Sequence, residues 1–360
     1  MWGWPAVTPA FVSALELNGA FYREAVAPVL AGRPHTAALI GWGSDVLGYD
    51  TERSTDHGWG PRLLLFLREP EEARSWAARL DEELPEEFRG WPVRYGWDGL
   101  PARHWVTVTT LPEWTVAHLG VDATGGLSTL DWLSIPQQRL LGVVAGAVYA
   151  DHDGALTALR EHLAWYPEQV WHWLLACQWR RIAQEEAFVA RTAEVGDETG
   201  SAITAARQAR EVMRLALLMQ KRYAPYQKWL GTAFARSAHT DDLPAQLHAV
   251  VHAPDADRRQ DALAAAYRSI AGRHNALGLT PALDPEVRPY HARPARVLMA
   301  ERFVEASLAL VEDPWLRSLP LVGAVDQFVD STRALEDPAT WRRFAAVYGP
   351  GAGEGERPPR

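Results

Sequence analysis

Residues 43–62 are Gly43-Ser44-Asp45-Val46-Leu47-Gly48-Tyr49-Asp50-Thr51-Glu52-Arg53-Ser54-Thr55-Asp56-His57-Gly58-Trp59-Gly60-Pro61-Arg62. This stretch indicates the fold of the first part of the 360-residue chain. A Gly-Ser pair between a strand and a short helix lets backbone N–H groups converge on an anion, because no bulky side chain blocks the approach. Carboxylates that follow closely can hold a divalent metal against the phosphates of a triphosphate. The stretch therefore predicts an anion cradle at Gly43 and Ser44, with Asp56 pointing into it.

Strands and helices alternate on both sides of this stretch. Apolar spacing predicts helices over residues 9–30 and 69–84. A short apolar run predicts a strand over 36–40, β-branched alternation predicts another over 105–110, and the run 63–67 is a buried strand or a helix fragment. From about residue 127, Ala, Leu, Arg and Gln recur at helical spacing. The pattern predicts an α/β domain over 1–126, an α-helical domain over 127–348 and a disordered Gly- and Pro-rich tail over 349–360.

The charge and apolar content of the chain indicate which classes of partner to expect. The net charge of −9 repels phosphate backbones and anionic lipid surfaces, so a small-molecule substrate or a nucleotide is expected rather than bulk nucleic acid. The chain begins without the pattern of a signal peptide and has no apolar run of bilayer length, so we expect a cytoplasmic protein without membrane contact. The single cysteine, Cys177, lies in an apolar helical pattern and is expected to be buried. The sequence allows an oligomer.

Two resemblances build on these residues. Gly43-Ser44 followed by Ser54-Thr55-Asp56 resembles the signature of the DNA-polymerase-beta-like nucleotidyltransferase superfamily, which includes aminoglycoside nucleotidyltransferases. Most of the chain also resembles an uncharacterised family of nucleotidyltransferase-like proteins whose helical C-terminal domain is a domain of unknown function. The segments that carry this second resemblance are Gly43-Ser-Asp-Val-Leu-Gly-Tyr-Asp50, Ser54-Thr-Asp-His57, Trp59-Gly-Pro-Arg62, Gln184-Glu-Glu-Ala-Phe188, Tyr223-Ala-Pro-Tyr-Gln-Lys-Trp229 and Gly231-Thr-Ala-Phe234.

The resemblance implies an α+β fold, in which a nucleotidyltransferase-like α/β domain with a mixed sheet precedes an α-helical domain. It implies transfer of a nucleoside monophosphate from a triphosphate to a small-molecule or protein acceptor in an interdomain cleft. In that scheme Asp56 binds Mg²⁺ and His57 assists catalysis. Glu186, or else Glu185, is the general base on the acceptor hydroxyl. The nucleotide is held by four residues, Gly43, Ser44, Arg62 and Lys228.

Two departures from the superfamily pattern weaken the metal site. Gly58 stands where a second carboxylate is usual, and Thr107 stands where a third is usual. Asp56 alone makes a weak magnesium site, because Mg²⁺ requires several oxygen ligands. Completion of another site by His57, Asp45, Asp50 or Glu52 is one alternative, although histidine favours a transition metal.

Whether the protein is an enzyme therefore stays open. The second hypothesis is a degenerate nucleotidyltransferase fold, repurposed for ligand binding or for metal-free acid–base catalysis by Asp56 and His57 in small-molecule biosynthesis.

Purely structural roles for single residues stay open as well. Arg62 could form a salt bridge instead of a phosphate clamp, and His57 could be a hydrogen-bonding loop residue. The 17 tryptophans indicate packing, or else stacking surfaces for an aromatic ligand in loops such as that of Trp42.

Overall fold

The computed structural model describes residues 9–97 and 99–349, apart from the side chain of Pro294. Backbone contacts divide the chain into two compact units. The N-terminal unit runs to Leu127 and includes Arg139–Ala164, whereas the C-terminal unit comprises Ser128–Gln138 and continues from Trp165. The predicted single boundary at residues 126–127 differs from this division, because a later segment belongs to the first unit. Of the predicted tail, 349–360, only Gly349 lies within the described residues.

A mixed five-stranded sheet forms the centre of the N-terminal unit, as the resemblance implied. Its strands are β1 (Thr36–Leu39), β2 (Arg62–Phe66), β5 (Arg94–Tyr95), β6 (Arg103–Thr109) and β7 (Ala147–Asp151). They lie in the order β5-β6-β2-β1-β7. The β2–β6 pair is parallel, and the β1–β2, β1–β7 and β5–β6 pairs are antiparallel. A separate two-stranded hairpin joins β3 (Glu87–Phe88) to β4 (Trp91–Pro92).

Strand β7 corrects the prediction that the chain is helical from residue 127 onward. Its sequence, Ala-Val-Tyr-Ala-Asp, follows an apolar helix and lacks the alternation that marks a strand. Pairing with β1, where Thr36 lies opposite Asp151, supplies the hydrogen bonds that local sequence does not predict. All four residues of β1 are buried, since β1 lies between β2 and β7.

Helices accompany this sheet, and those over 14–30 and Pro70–Glu83 lie within the ranges predicted from the sequence. The helices are α1 (Ala14–Phe21), α2 (Ala27–Leu30), α3 (Pro70–Glu83), α4 (Leu111–Leu119), α6 (Gln137–Val144) and α7 (Ala155–His162). The predicted helix over 9–30 begins later, at Ala14, where the Ser13 hydroxyl accepts a hydrogen bond from the Glu16 N–H. Between α1 and α2 the chain forms a π-helical turn, Tyr22–Val26. Pro28 explains the interruption, because proline has no N–H for an α-helical bond.

The C-terminal unit is helical, as predicted, with one β-hairpin formed by β8 (Arg288–Tyr290) and β9 (Arg293–Val297). Its helices are α5 (Thr129–Ser134), α8 (Glu168–Glu185), α9 (Phe188–Glu194), α10 (Glu198–Met219), α11 (Gln227–Ala235), α12 (Leu243–His252), α13 (Ala256–Ala276), α14 (Glu301–Ala309), α15 (Pro314–Ser318), α16 (Val325–Phe328), α17 (Thr332–Glu336) and α18 (Pro338–Trp341).

Helix α8 is the core element of this unit. Trp173 and Trp179 on α8 are fully buried, and the ring of Trp179 stacks on that of Phe303 at 4.5 Å between centroids. Cys177 is also buried, as predicted, and burial raises the pKa of its thiol. Helix α8 therefore has a packing role along most of its length.

Among the described residues, none of the helices combines the length and apolarity that crossing a membrane requires.

Candidate functional site

The long loop between β1 and β2 holds most of the predicted site residues. It contains one turn of 3₁₀ helix, Glu52–Asp56. Its far end is fixed by Asn18 on α1, which is fully buried. The Asn18 side chain accepts a hydrogen bond from the Arg62 N–H at 2.6 Å and donates one to the Gly60 carbonyl at 3.3 Å. The loop is thereby tied to a helix that precedes it in sequence.

A buried ion pair between Asp45 and Arg62 spans this loop. The Arg62 guanidinium donates to both carboxylate oxygens, from Nε at 2.8 Å and from Nη2 at 2.9 Å. Nη2 also donates to the Trp42 carbonyl at 2.6 Å. Burial opposes the charge on Arg62, but Asp45 offsets it and the pKa of Arg62 is raised. The geometry is bidentate, which is the strong form of this interaction.

The Asp45 carboxylate packs against the backbone of Gly43. A β-carbon on Gly43 would lie 2.1 Å from Asp45 Oδ1 and 2.9 Å from Arg62 Nη2, and the φ angle of Gly43 is +112°. Glycine is therefore required here so that an internal salt bridge can approach the backbone. The contacts favour the alternative in which Arg62 forms a salt bridge, and the phosphate cradle at Gly43-Ser44 stays a prediction. The charge of Arg62 is already used by Asp45, and the Ser44 carbonyl accepts the Tyr49 N–H at 2.8 Å.

Asp50 has a structural role as well. Its Oδ2 atom accepts hydrogen bonds from the Ala14 N–H at 2.7 Å and from Trp59 Nε1 at 3.0 Å. Asp50 thus binds the first N–H of α1, where a negative charge is stabilising. Two of the acidic residues that could have completed a metal site are committed to holding the loop.

Asp56 and His57 form an exposed pair. Asp56 Oδ1 lies 2.9 Å from His57 Nδ1, and each side chain is 61% exposed. Across residues 9–97 and 99–349 there is no cluster of three or more His, Cys, Asp or Glu side chains that could hold a metal ion. The residues at Asp56 therefore do not fit a Mg²⁺ site, which requires several oxygen ligands. Thr107, on β6, is exposed and opposite Leu64 of β2.

A partly exposed tryptophan lies beside this pair. Trp42 is 47% exposed, and the Arg62 guanidinium lies 4.4 Å from its ring centroid. Gly58, next to His57, has a φ of +64°, and a β-carbon there would lie 3.6 Å from the Trp42 ring and 3.7 Å from that of Trp97. A side chain at position 58, next to His57, would therefore meet both indole rings.

Glu186 and Glu185 lie in the C-terminal unit, at the end of α8. Glu186 is 8% exposed. Its carboxylate accepts three backbone hydrogen bonds, from the N–H groups of Leu298, Met299 and Ala300 at 2.7, 3.1 and 3.0 Å. Burial raises its pKa to about 7, against the lowering effect of these donors. Glu185 forms a salt bridge to Arg207 at 2.9 Å.

General-base catalysis by Glu186 on an acceptor hydroxyl stays a prediction, and the contacts that the structure shows for this carboxylate are structural. Its oxygens bind the segment that leads into α14, and the carboxylate stabilises the N-terminal end of that helix. Lys228, the other predicted site residue of this unit, is exposed on α11, with Nζ 5.0 Å from the Trp229 ring centroid. Within the N-terminal unit the structure places Gly43, Ser44, Asp56 and His57 in the loop between β1 and β2, and Arg62 is the first residue of β2.

Sequence reasoning missed the roles of Asp45 and Asp50. A signal for the first existed, since Arg62 opens a strand whose remaining residues are all apolar. A buried guanidinium requires a counter-charge, and Asp45 is the acid closest to the glycine that makes room. The role of Asp50 had no local signal, because its partners Ala14 and Trp59 come from opposite sides of it in sequence.

A model of a domain of unknown function, DUF4037, matches residues 132–230, which is less than half of the chain. A search of curated proteins found no match. The chain is similar to a nucleotidyltransferase-like protein from Exiguobacterium sibiricum, with 12% identity and a TM-score of 0.33, covering 84% of this chain and 91% of that one. At that TM-score the likeness carries no inference about fold or activity.

Proposed function

We propose that the loop between β1 and β2 is a small-molecule site that exchanges protons with its ligand through Asp56 and His57, without nucleotidyl transfer. The observation that carries this proposal is the 2.9 Å contact between Asp56 Oδ1 and His57 Nδ1 in an exposed position. An aspartate on one imidazole nitrogen orients the ring and leaves the other nitrogen for a substrate.

The contacts of two neighbouring carboxylates, Asp45 and Asp50, support the proposal that the site works without a metal ion. Asp45 is neutralised by Arg62 and Asp50 binds two N–H donors, so neither is open to a cation. Gly58 contributes no side chain. A pair of divalent ions that clamps a triphosphate needs several oxygen ligands, and Asp56 offers one carboxylate.

The chemistry of the pair follows from its hydrogen bond. When His57 Nδ1–H donates to Asp56, the lone pair of the ring resides on Nε2. Within the described residues Nε2 of His57 forms no hydrogen bond to the protein. It can accept a proton from a hydroxyl or an activated water and return it to a leaving group, and Asp56 stabilises the imidazolium that forms in between.

Trp42 supports a ligand with a planar ring. Trp42 is 47% exposed, and its ring lies 3.6 Å from where a β-carbon on Gly58, the neighbour of His57, would be. The Arg62 guanidinium, held by Asp45, contacts the ring and fixes its position. A rigid, partly exposed indole offers an apolar face to an aromatic group, and offset stacking on it is favourable.

Hydrolysis of p-nitrophenyl acetate in the presence of EDTA tests the proposal, because this ester has a planar ring and needs no metal. We expect His57→Gln to remove most of the protein-dependent turnover, by about 10²-fold as is typical of general-base loss. Asp56→Asn should lower it less, since the imidazole remains. His162→Gln, at another exposed histidine, is the control and should leave the rate unchanged. Equal rates in the wild type and His57→Gln would refute the proposal.

A second measurement separates this function from nucleotidyl transfer. Calorimetric titration with the four ribonucleoside triphosphates, with and without Mg²⁺, should show no strengthening by magnesium. Saturable binding that tightens with Mg²⁺ and is lost in Asp56→Asn would establish the transferase hypothesis instead. Glu52→Gln, in the same 3₁₀ turn, controls for a general loss of negative charge from the loop.

A further inference from the structure

Two histidines lie one helical turn apart on α12. His248 and His252 are both exposed, while Leu243, Leu247 and Val250 of the same helix are buried. Residues four apart on a helix are neighbours on its surface. The histidines therefore share the solvent face, away from the apolar contacts that hold α12 in place.

The two imidazole rings are stacked on each other. Their centroids are 4.0 Å apart and their planes differ by 22°. His252 Nδ1 lies 2.9 Å from the His248 carbonyl, so this nitrogen donates its proton and the lone pair is on Nε2. A backbone carbonyl that accepts from one ring nitrogen is the arrangement that orients a histidine when the other nitrogen binds a metal.

We propose that His248 and His252 form a bidentate site for a divalent transition-metal ion, of which Zn²⁺, Ni²⁺ and Cu²⁺ are the chemical class. A metal–nitrogen distance of about 2.0–2.1 Å places two coordinating nitrogens about 3 Å apart, and two imidazole rings with centroids 4.0 Å apart are close enough to share one ion. Imidazole is a ligand for these ions and not for Mg²⁺ or Ca²⁺, which require oxygen.

The residues around the two histidines determine how firmly a metal ion is bound. Among the described residues these two histidines have no third His, Cys, Asp or Glu that completes a cluster, so water fills the remaining positions. Two ligands give an exchangeable ion rather than a structural zinc. Since His252 is the last residue of α12, a bound ion joins the last turn of that helix to the turn before it. The ion then stabilises the folded chain by mass action.

Isothermal titration with NiCl₂ and ZnCl₂, on the full chain freed of metal by EDTA and dialysis, tests the site. We expect one saturable ion per chain at this site and a rise in melting temperature with metal concentration. His248→Gln and His252→Gln should each weaken binding by at least about tenfold, or 1.4 kcal/mol. MgCl₂ should produce no heat of binding.

A matched variant tests whether binding requires the four-residue spacing of the two histidines. His248→Gln combined with Val251→His keeps the number of histidines on α12 but makes them adjacent in sequence, on different faces of the helix. We expect it to bind as weakly as His248→Gln alone. Binding of wild-type strength in this variant, or in both single variants, would overturn the proposal and assign the metal to other surface histidines. Val251 is exposed, so the substitution preserves the packed face.

Discussion

Asp45 in the N-terminal unit and Glu186 in the C-terminal unit are both buried carboxylates, and the two units neutralise them in different ways. Asp45 meets a full positive charge, the Arg62 guanidinium, on both of its oxygens. Glu186 is surrounded mainly by dipoles, three backbone N–H groups before α14. A third carboxylate, that of Asp56, stays exposed beside His57. Placement, rather than residue type, decides which acid supports the fold and which is available for chemistry.

The largest expected effect on stability comes from replacing Arg62, which carries the positive charge of the buried ion pair. Arg62→Met leaves Asp45 buried without a counter-charge, so we expect the free energy of unfolding to fall by about 3–5 kcal/mol. Urea denaturation measures this change. Arg68→Met is the matched control, because Arg68 pairs with Asp153 at the surface, where an ion pair contributes about 0–1 kcal/mol. Equal losses in the two variants would contradict the structural role of the buried pair.

Gly43→Ala should have the next largest effect. The added β-carbon meets Asp45 Oδ1 and Arg62 Nη2, and it also strains a backbone with positive φ. We expect a loss of about 2–4 kcal/mol in unfolding free energy. Gly32→Ala provides the comparison, since Gly32 also has a positive φ but has no atom within 4 Å of such a carbon. It should cost only about 1 kcal/mol, and a loss as large as that of Gly43→Ala would show that backbone strain alone is responsible.

The buried carboxyl group of Glu186 predicts a pH dependence of the stability. Its pKa is about 7 in the folded chain and 4.5 as a free side chain. The folded state therefore binds more protons at this group between these values, and the stability that Glu186 contributes is fully present below about pH 4.5 and is lost as the pH rises through 7. The contribution of this group is about 3 kcal/mol, because a tenfold change in a proton-binding constant corresponds to about 1.36 kcal/mol.

Urea denaturation at intervals from pH 5 to pH 8 measures that dependence. Glu186→Gln keeps an acceptor oxygen for the N–H donors but does not ionise, so the difference between wild type and variant should grow with pH in the variant's favour. Other titrating groups cancel in this difference. Curves that stay parallel over the whole range would contradict the proposed contribution of Glu186.

The smallest effect on stability is expected at the exposed pair. Asp56→Asn and His57→Gln should each change the free energy of unfolding by less than about 1 kcal/mol, because surface ion pairs contribute little. Thermal denaturation checks this. A loss similar to that of Arg62→Met would mean that Asp56 supports the loop, and the acid–base role would then lose its basis.

Local sequence predicted several regular elements of the N-terminal unit, although not β7. The apolar run before Gly41, the β-branched alternation before Thr110 and the proline-initiated α3 each carry their pattern within a few residues. The site was harder, because its geometry depends on residues that are distant in sequence. Asn18 joins α1 to the strand that begins at Arg62, and no local pattern reports such a contact.

Three features could be inferred from the residues alone: the glycine-rich loop between two buried strands, the helical C-terminal unit and the Asp-His pair in that loop. Each depends on local periodicity or on the backbone requirements of neighbouring residues. Three others became visible in the folded chain, where Asp45 takes the Arg62 charge, Glu186 binds the start of α14 and β7 completes the sheet beside β1. Those outcomes depend on which distant donor meets each acceptor when the chain is folded.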